Sequence, residues 1–212
     1  MRFIVFLSLI VFGCTESSLP PTSLEVPEAA QITEQVVMAS LRKPCPRLRS
    51  YWVMPPNVSV CDNTAISVRT VQSALDVWRG MGYTFGIVRQ KRWALNGCQS
   101  PEFFEILIRL PTQTEVSMGL GRGFNAVTKT HEYTPTQQIQ GADIFYVDQS
   151  KVGHQYILEH EIGHALGWQH CKQYGHLMHP ETNSLGSGKT GITRKDYESE
   201  ILHVREEVDA RK

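Results

Sequence analysis

Bulk charge is missing from this chain: 21 Lys and Arg balance 21 Asp and Glu over 212 residues. No general field of either sign draws it to nucleic acid or to an anionic surface, so partners have to be found through local sites. Also missing is an apolar run of the ~20 residues that a membrane-crossing helix needs. The one apolar stretch, residues 3–13 behind Arg2, has the length and the basic flank of an export signal that is cleaved. No two cysteines stand two residues apart, which argues against a cysteine zinc ribbon. Internal repeats and long low-complexity tracts are absent too.

What is there begins with Val11-Phe12-Gly13-Cys14, which resembles the lipobox of bacterial lipoproteins, although Phe12 is bulkier than that pattern favours. The resemblance implies a signal peptide over 1–13 and lipidation of Cys14. A single acyl chain holds a membrane only marginally, so stable anchoring would use several chains. The protein is then exported and tied to the cell envelope, with the outer membrane favoured because Thr15, not Asp, follows Cys14. Cleavage by an ordinary signal peptidase and secretion is the alternative. Residues 14–48, with Ser, Thr, Glu and five prolines between 15 and 47, read as a tether or a short pro-segment. Cys45, Cys61, Cys98 and Cys171 remain, an even number that in an exported chain permits two disulfides in three connectivities, and the sequence leaves the pairing open.

The folded unit is expected over 49–212. Residues 51–54 form a short strand candidate closed by Pro55-Pro56. Val71, Ala74, Leu75 and Trp78 recur at helical spacing, with Gly80 and Gly82 as the stop. Strands are expected at 84–89, at 102–110, where Phe104, Ile106, Ile108 and Leu110 alternate, and at 142–148. The glycine-containing segment 116–124 is a candidate sheet edge. Two helices end the chain. One, over 152–166, carries the stripe Leu158, Ile162, Ala165 and Leu166. The other, over 194–208, opens on a Thr193/Asp196 capping box. Strands first and helices after give an α+β fold.

The chemistry concentrates in His160-Glu161-Ile162-Gly163-His164-Ala165-Leu166-Gly167-Trp168-Gln169-His170. Residues four apart on a helix lie one above the other, so His160 and His164 can present two imidazoles to one ion. Gly167 can take the left-handed conformation that ends a helix, turning the chain so that His170 arrives from another side. Three imidazoles leave a tetrahedral zinc one open position, the pattern of a catalytic site, and Glu161 beside them suits a base that takes a proton from water. With 16 Gly and 8 His in 212 residues, chance adds Gly167 and His170 to the shorter five-residue pattern with a probability of about 0.003.

This stretch resembles the metzincin clan of zinc metalloproteases, and His164-Ala165-Leu166-Gly167 is most similar to its matrixin branch. Downstream, His176-Leu177-Met178-His179-Pro180 resembles the Met-turn. The resemblance implies that Met178 packs beneath the three histidines without binding metal, and that no tyrosine ligates zinc, since Pro180 stands two residues past the methionine. It also implies a metzincin-like catalytic domain with a twisted mixed sheet of four to five strands, an N-terminal helix, an active-site helix and a C-terminal helix. Substrate would lie extended along a sheet edge.

The function expected is therefore a monomeric, zinc-dependent endopeptidase acting on proteins or peptides, with zinc on His160, His164 and His170 and Glu161 as the catalytic base. Two alternatives stand beside it: a lipid-anchored zinc-binding or adhesion protein without turnover, and a cell-wall amide hydrolase. A thiolate at Cys45 blocking the zinc would make residues 14–48 an inhibitory pro-segment. His131 and His154 read as isolated surface residues, and His179 as a surface residue within reach of substrate.

Overall fold

The computed structural model describes residues 45–211 except 96, 155 and 182–191. The expectations for the signal peptide, for Cys14 and for residues 14–44 lie outside the described residues. In chain order the elements are β1 (Asn57–Cys61), α1 (Val68–Gly80), β2 (Val88–Lys91), β3 (Glu105–Arg109), α2 (Gln113–Ser117), β4 (Ala126–Tyr133), β5 (Gln138–Tyr146), α3 (Ile157–Ala165) and α4 (Arg194–Asp209). The sheet order is β2-β1-β3-β5-β4. Strands β2, β1, β3 and β5 run parallel, and β4 pairs antiparallel with β5 at one edge. This is the expected mixed α+β sheet, with five strands.

Local chemistry explains the helices. The Ser67 side chain accepts from the Thr70 amide at the start of α1, and Val71, Ala74, Leu75 and Trp78 are its buried stripe. Trp78 Nε1 donates to the Glu159 carbonyl at 2.9 Å, which docks α1 on α3. Thr193 and Asp196 cap α4 reciprocally, as expected. Tyr197 of α4 is buried, and its hydroxyl accepts from the Trp52 amide at 2.9 Å.

Alternation along β3 separates two interiors. Ile106 and Ile108 join the main core with Val58, Val60, Ala142 and Ile144. Glu105, Leu107 and Arg109 face the other way and are buried too. The charges there are paired: Glu105 accepts from Ser59 Oγ at 2.5 Å and from Lys91 Nζ at 2.7 Å. Arg109 bonds Asp143 at 2.7 Å and Glu115 at 2.7 Å. Such pairs are compatible with burial because each ion keeps a partner.

Several expected elements need correction. Residues 51–54 form no strand; Tyr51 makes one isolated bridge, to Gln138, and the first strand lies beyond the prolines at Asn57–Cys61. The strand placed at 84–89 is Val88–Lys91. The segment 116–124 is no sheet edge. Thr112 and Glu115 form a capping box that starts α2, and Gly119, Gly121 and Gly123 then turn the chain at positive φ. The edge is β4, whose polar run Lys129 to Glu132 hides the strand pattern in the way edges commonly do. The active-site helix begins at Ile157, later than expected. His131 is not an isolated surface residue: its Nε2 lies 2.8 Å from Oδ2 of buried Asp143.

The pairing left open by the sequence is Cys45 with Cys171 and Cys61 with Cys98. The reading of Cys45 as a blocking thiolate is thereby overturned, because its sulfur is bonded to Cys171. Residues 45–48, expected at the end of the tether, are attached to the domain through this bond and the Leu48 bridge to Trp168.

Candidate metal centre and cleft

Helix α3 presents His160 and His164 on one face, and the chain leaves it at Gly167, whose φ is 100°. Only a residue without Cβ fits there, since a Cβ would overlap the Ser50 carbonyl. The turn brings His170 back to the other two. Nε2 of His164 lies 3.0 Å from Nε2 of His160 and 3.0 Å from Nε2 of His170. Among the described residues these three are the group of His, Cys, Asp and Glu side chains that can hold a metal ion.

The other ring nitrogens say what the inner ones carry. His160 Nδ1 lies 2.7 Å from the Leu177 carbonyl and His164 Nδ1 lies 2.7 Å from the Trp168 carbonyl. Carbonyls only accept, so both Nδ1 atoms bear the proton and both Nε2 atoms point lone pairs at one another. Two facing lone pairs at that distance call for a cation between them. Four-coordinate zinc with bonds of ~2.0–2.1 Å holds its ligand nitrogens about 3.3–3.4 Å apart, close to the spacing found. Burial is the main cause holding His160 down to about 4, with the neighbouring imidazoles adding to it against the Leu177 bond. Burial and then His160 hold His164 down to about 3. Burial, then His179, lowers His170. All three are thus kept as the neutral rings that metals bind. The residues present fit zinc.

Glu161 is buried on α3 beside His160, and burial pushes its carboxyl up to about 7 against a hydrogen bond from Thr128. The Thr128 hydroxyl donates to Oε2 at 2.5 Å, with the Glu161 carbonyl as its alternative acceptor at 3.1 Å. Thr128 was missed in the sequence, where nothing marks a threonine within a polar edge strand. The two carbonyls orienting His160 and His164 left no side-chain signal either.

Met178 is fully buried below the helix. A Cβ on Gly163 would overlap its Sδ and approach Trp78 Cζ2 at 2.8 Å, so the glycine lets α3 press onto the methionine. The Met178 amide donates to His176 Nδ1 at 3.0 Å, and its carbonyl accepts from the Cys171 amide at 2.8 Å. The loop carrying Met178 is thus joined to the stretch carrying His170. His154 is exposed. His179 lines the cleft, with its Nδ1 accepting from the Glu181 amide at 3.1 Å.

The centre opens into a cleft of about 470 Å³ between α3 and β4. Its walls include Thr128, Thr130 and Glu132 along the edge strand, Phe124 just before it, Arg49 and Ser50 at one side, and Pro180. An extended chain can lie along β4, and His160, Glu161, His164 and His170 line the same space.

Fold and centre together define a metallopeptidase. The sequence model of the matrixin family matches residues 62–201, two thirds of the chain. The chain belongs to the matrixin family, whose members are zinc-dependent peptidases acting on proteins or peptides. No curated protein matches it in sequence. The two disulfides fit an exported protein folded in an oxidising compartment.

Proposed function

We propose that the protein is a zinc endopeptidase in which His160, His164 and His170 hold the metal and Glu161 is the catalytic base. When bound, zinc supplies a Lewis acid that acidifies water and polarises the scissile carbonyl. Glu161 takes a proton from the attacking water and returns it to the departing amine. Thr128 fixes the carboxylate through Oε2, which leaves Oε1 for the water. The free side of β4 receives the substrate backbone in extended form, and Met178 supports the ligands from below without touching the ion.

The observation that carries this reading is a buried carboxylate bordering the same cleft as three convergent imidazoles. Metal storage alone has no use for Glu161. The N-terminal reading stands with it: cleavage after Gly13, lipidation of Cys14, residues from 14 onward as a tether, and a monomer displayed on the cell envelope, outer membrane favoured.

Cleavage of casein by the purified protein, abolished by a chelator and restored by zinc, is the expected result. A zinc-loaded protein that leaves casein and a broad peptide library intact would refute the endopeptidase reading. Mass spectrometry of the mature N-terminus checks the anchor, an acylated Cys14 being expected.

A further inference from the structure

His160 and His164 are each oriented by a carbonyl on Nδ1. His170 differs. Among the described residues no carbonyl is paired with its ring, which meets the other two histidines. Its place in the ligand set therefore depends on the backbone on either side of it, and that backbone is held by residues 45–50 and, at the Cys171 amide, by the Met178 carbonyl. The Arg49 amide donates to the Gly167 carbonyl at 2.9 Å, and the Gln169 amide donates to the Arg47 carbonyl at 2.9 Å. These bonds flank the antiparallel bridge of Leu48 with Trp168. Immediately past His170, Cys171 is bonded to Cys45. Ser50 closes the arrangement, its carbonyl standing where a Cβ of Gly167 would be. Leu48, Ser50, Trp168 and Cys171 are all buried. The same stretch supplies the Trp168 carbonyl that orients His164.

We propose that residues 45–50 act as a positioning clamp for the third zinc ligand, so that full zinc affinity requires the Cys45–Cys171 disulfide. The inference rests on the zinc reading above, and it concerns a segment that precedes the matched residues 62–201. The clamp closes a ring of 126 residues in sequence separation, yet it acts on the residue next to a ligand. Its consequence is a metal site that is completed by oxidation. While Cys45 and Cys171 are thiols, the arm bearing His170 loses its covalent tie, keeps its backbone bonds and the Trp168 Nε1 bond to the Tyr83 hydroxyl, and samples positions away from the other two histidines. A chain that has not reached an oxidising compartment thus binds zinc weakly.

Zinc affinity, measured by competition with a chromophoric chelator, tests the clamp in the wild-type protein and in two double variants. Cys45→Ser/Cys171→Ser removes the clamp bond without leaving an odd thiol. Cys61→Ser/Cys98→Ser removes the other disulfide, which joins β1 to the loop after β2. Thermal unfolding of the metal-free proteins is followed in parallel. The expected result is an affinity about 10- to 100-fold lower for the first variant, the usual effect of losing a group that orients a ligand, and wild-type affinity for the second. Arg49→Pro, which keeps the disulfide but removes the amide that bonds Gly167, should lower zinc affinity in the same direction, and it decides the matter if the first variant does not fold. Wild-type affinity in a folded clamp variant, or equal losses on removing either disulfide, would overturn the proposal. A wild-type protein that binds no zinc would instead remove the metal reading itself.

Discussion

Thr128 on the edge strand donates its hydroxyl hydrogen to Oε2 of Glu161 on the active-site helix, at 2.5 Å. One bond thus joins the element placed to hold substrate to the group assigned the proton transfer. A hydrogen bond to a charged group is worth about 1.5–3 kcal/mol. Thr128→Val keeps the shape and removes the donor, so kcat should fall about 10- to 100-fold while zinc content stays at the wild-type level. An unchanged kcat would mean that Glu161 is oriented without Thr128.

Gly163 sits in the middle of α3, where alanine would ordinarily be favoured by about 1 kcal/mol. Here the added Cβ meets Met178 Sδ and Trp78, both buried, and overpacking of that kind costs about 1–3 kcal/mol. The clash wins, so Gly163→Ala should lower the melting temperature and weaken zinc binding together. A stabilised variant would show that Met178 does not lie against the helix as described.

Glu115 answers to pH. Burial alone would raise its carboxyl, but bonds from Arg109 and Thr112 outweigh that and hold it at about 2, below its ordinary 4.5. A carboxyl depressed in this way contributes stability that is complete above pH 4.5 and is lost as pH falls from there through about 2. Glu115→Gln should therefore cost about 2 kcal/mol at pH 7, after allowance for partial solvent screening, and almost nothing near pH 2. Chemical denaturation at several pH values reads the difference, and an equal cost at all of them would contradict it.

Phe124 lines the cleft while keeping 65% of its surface in solvent. Among the described residues it is not one of those packed into or against the main core. Phe124→Ser should raise KM several-fold for unstructured substrates, leaving kcat and thermal stability unchanged, the pattern of lost uniform binding. A fall in kcat alone would place Phe124 in the chemistry instead of in substrate binding.

The ligand motif was legible because its logic is local: histidines four apart on a helix, a glycine at φ 100°, and a third histidine just beyond. Helices α1 and α4 were legible too, through apolar stripes and caps written in adjacent residues. Strand β4 was not, because its residues alternate between a cleft and a partly solvated face and carry Lys129, His131 and Glu132 for that reason. The segment 116–124 misled because glycines that permit a strand's close approach serve equally in the turns that follow a short capped helix. The disulfide pairing could not be deduced, since Cys45 and Cys171 meet only once the N-terminal segment lies against the Gly167 turn. Thr128 and the clamp belong to the same class of feature, contacts between distant segments that no single stretch records.

The role of Glu161 is tested by comparing Glu161→Ala with the wild-type protein in one preparation series, with zinc and casein cleavage measured on the same samples. The variant is expected to keep its zinc and lose cleavage by several orders of magnitude, because the three imidazoles remain while the proton acceptor is gone. Residual cleavage close to wild type in a zinc-loaded variant would contradict the assignment of Glu161 as the catalytic base.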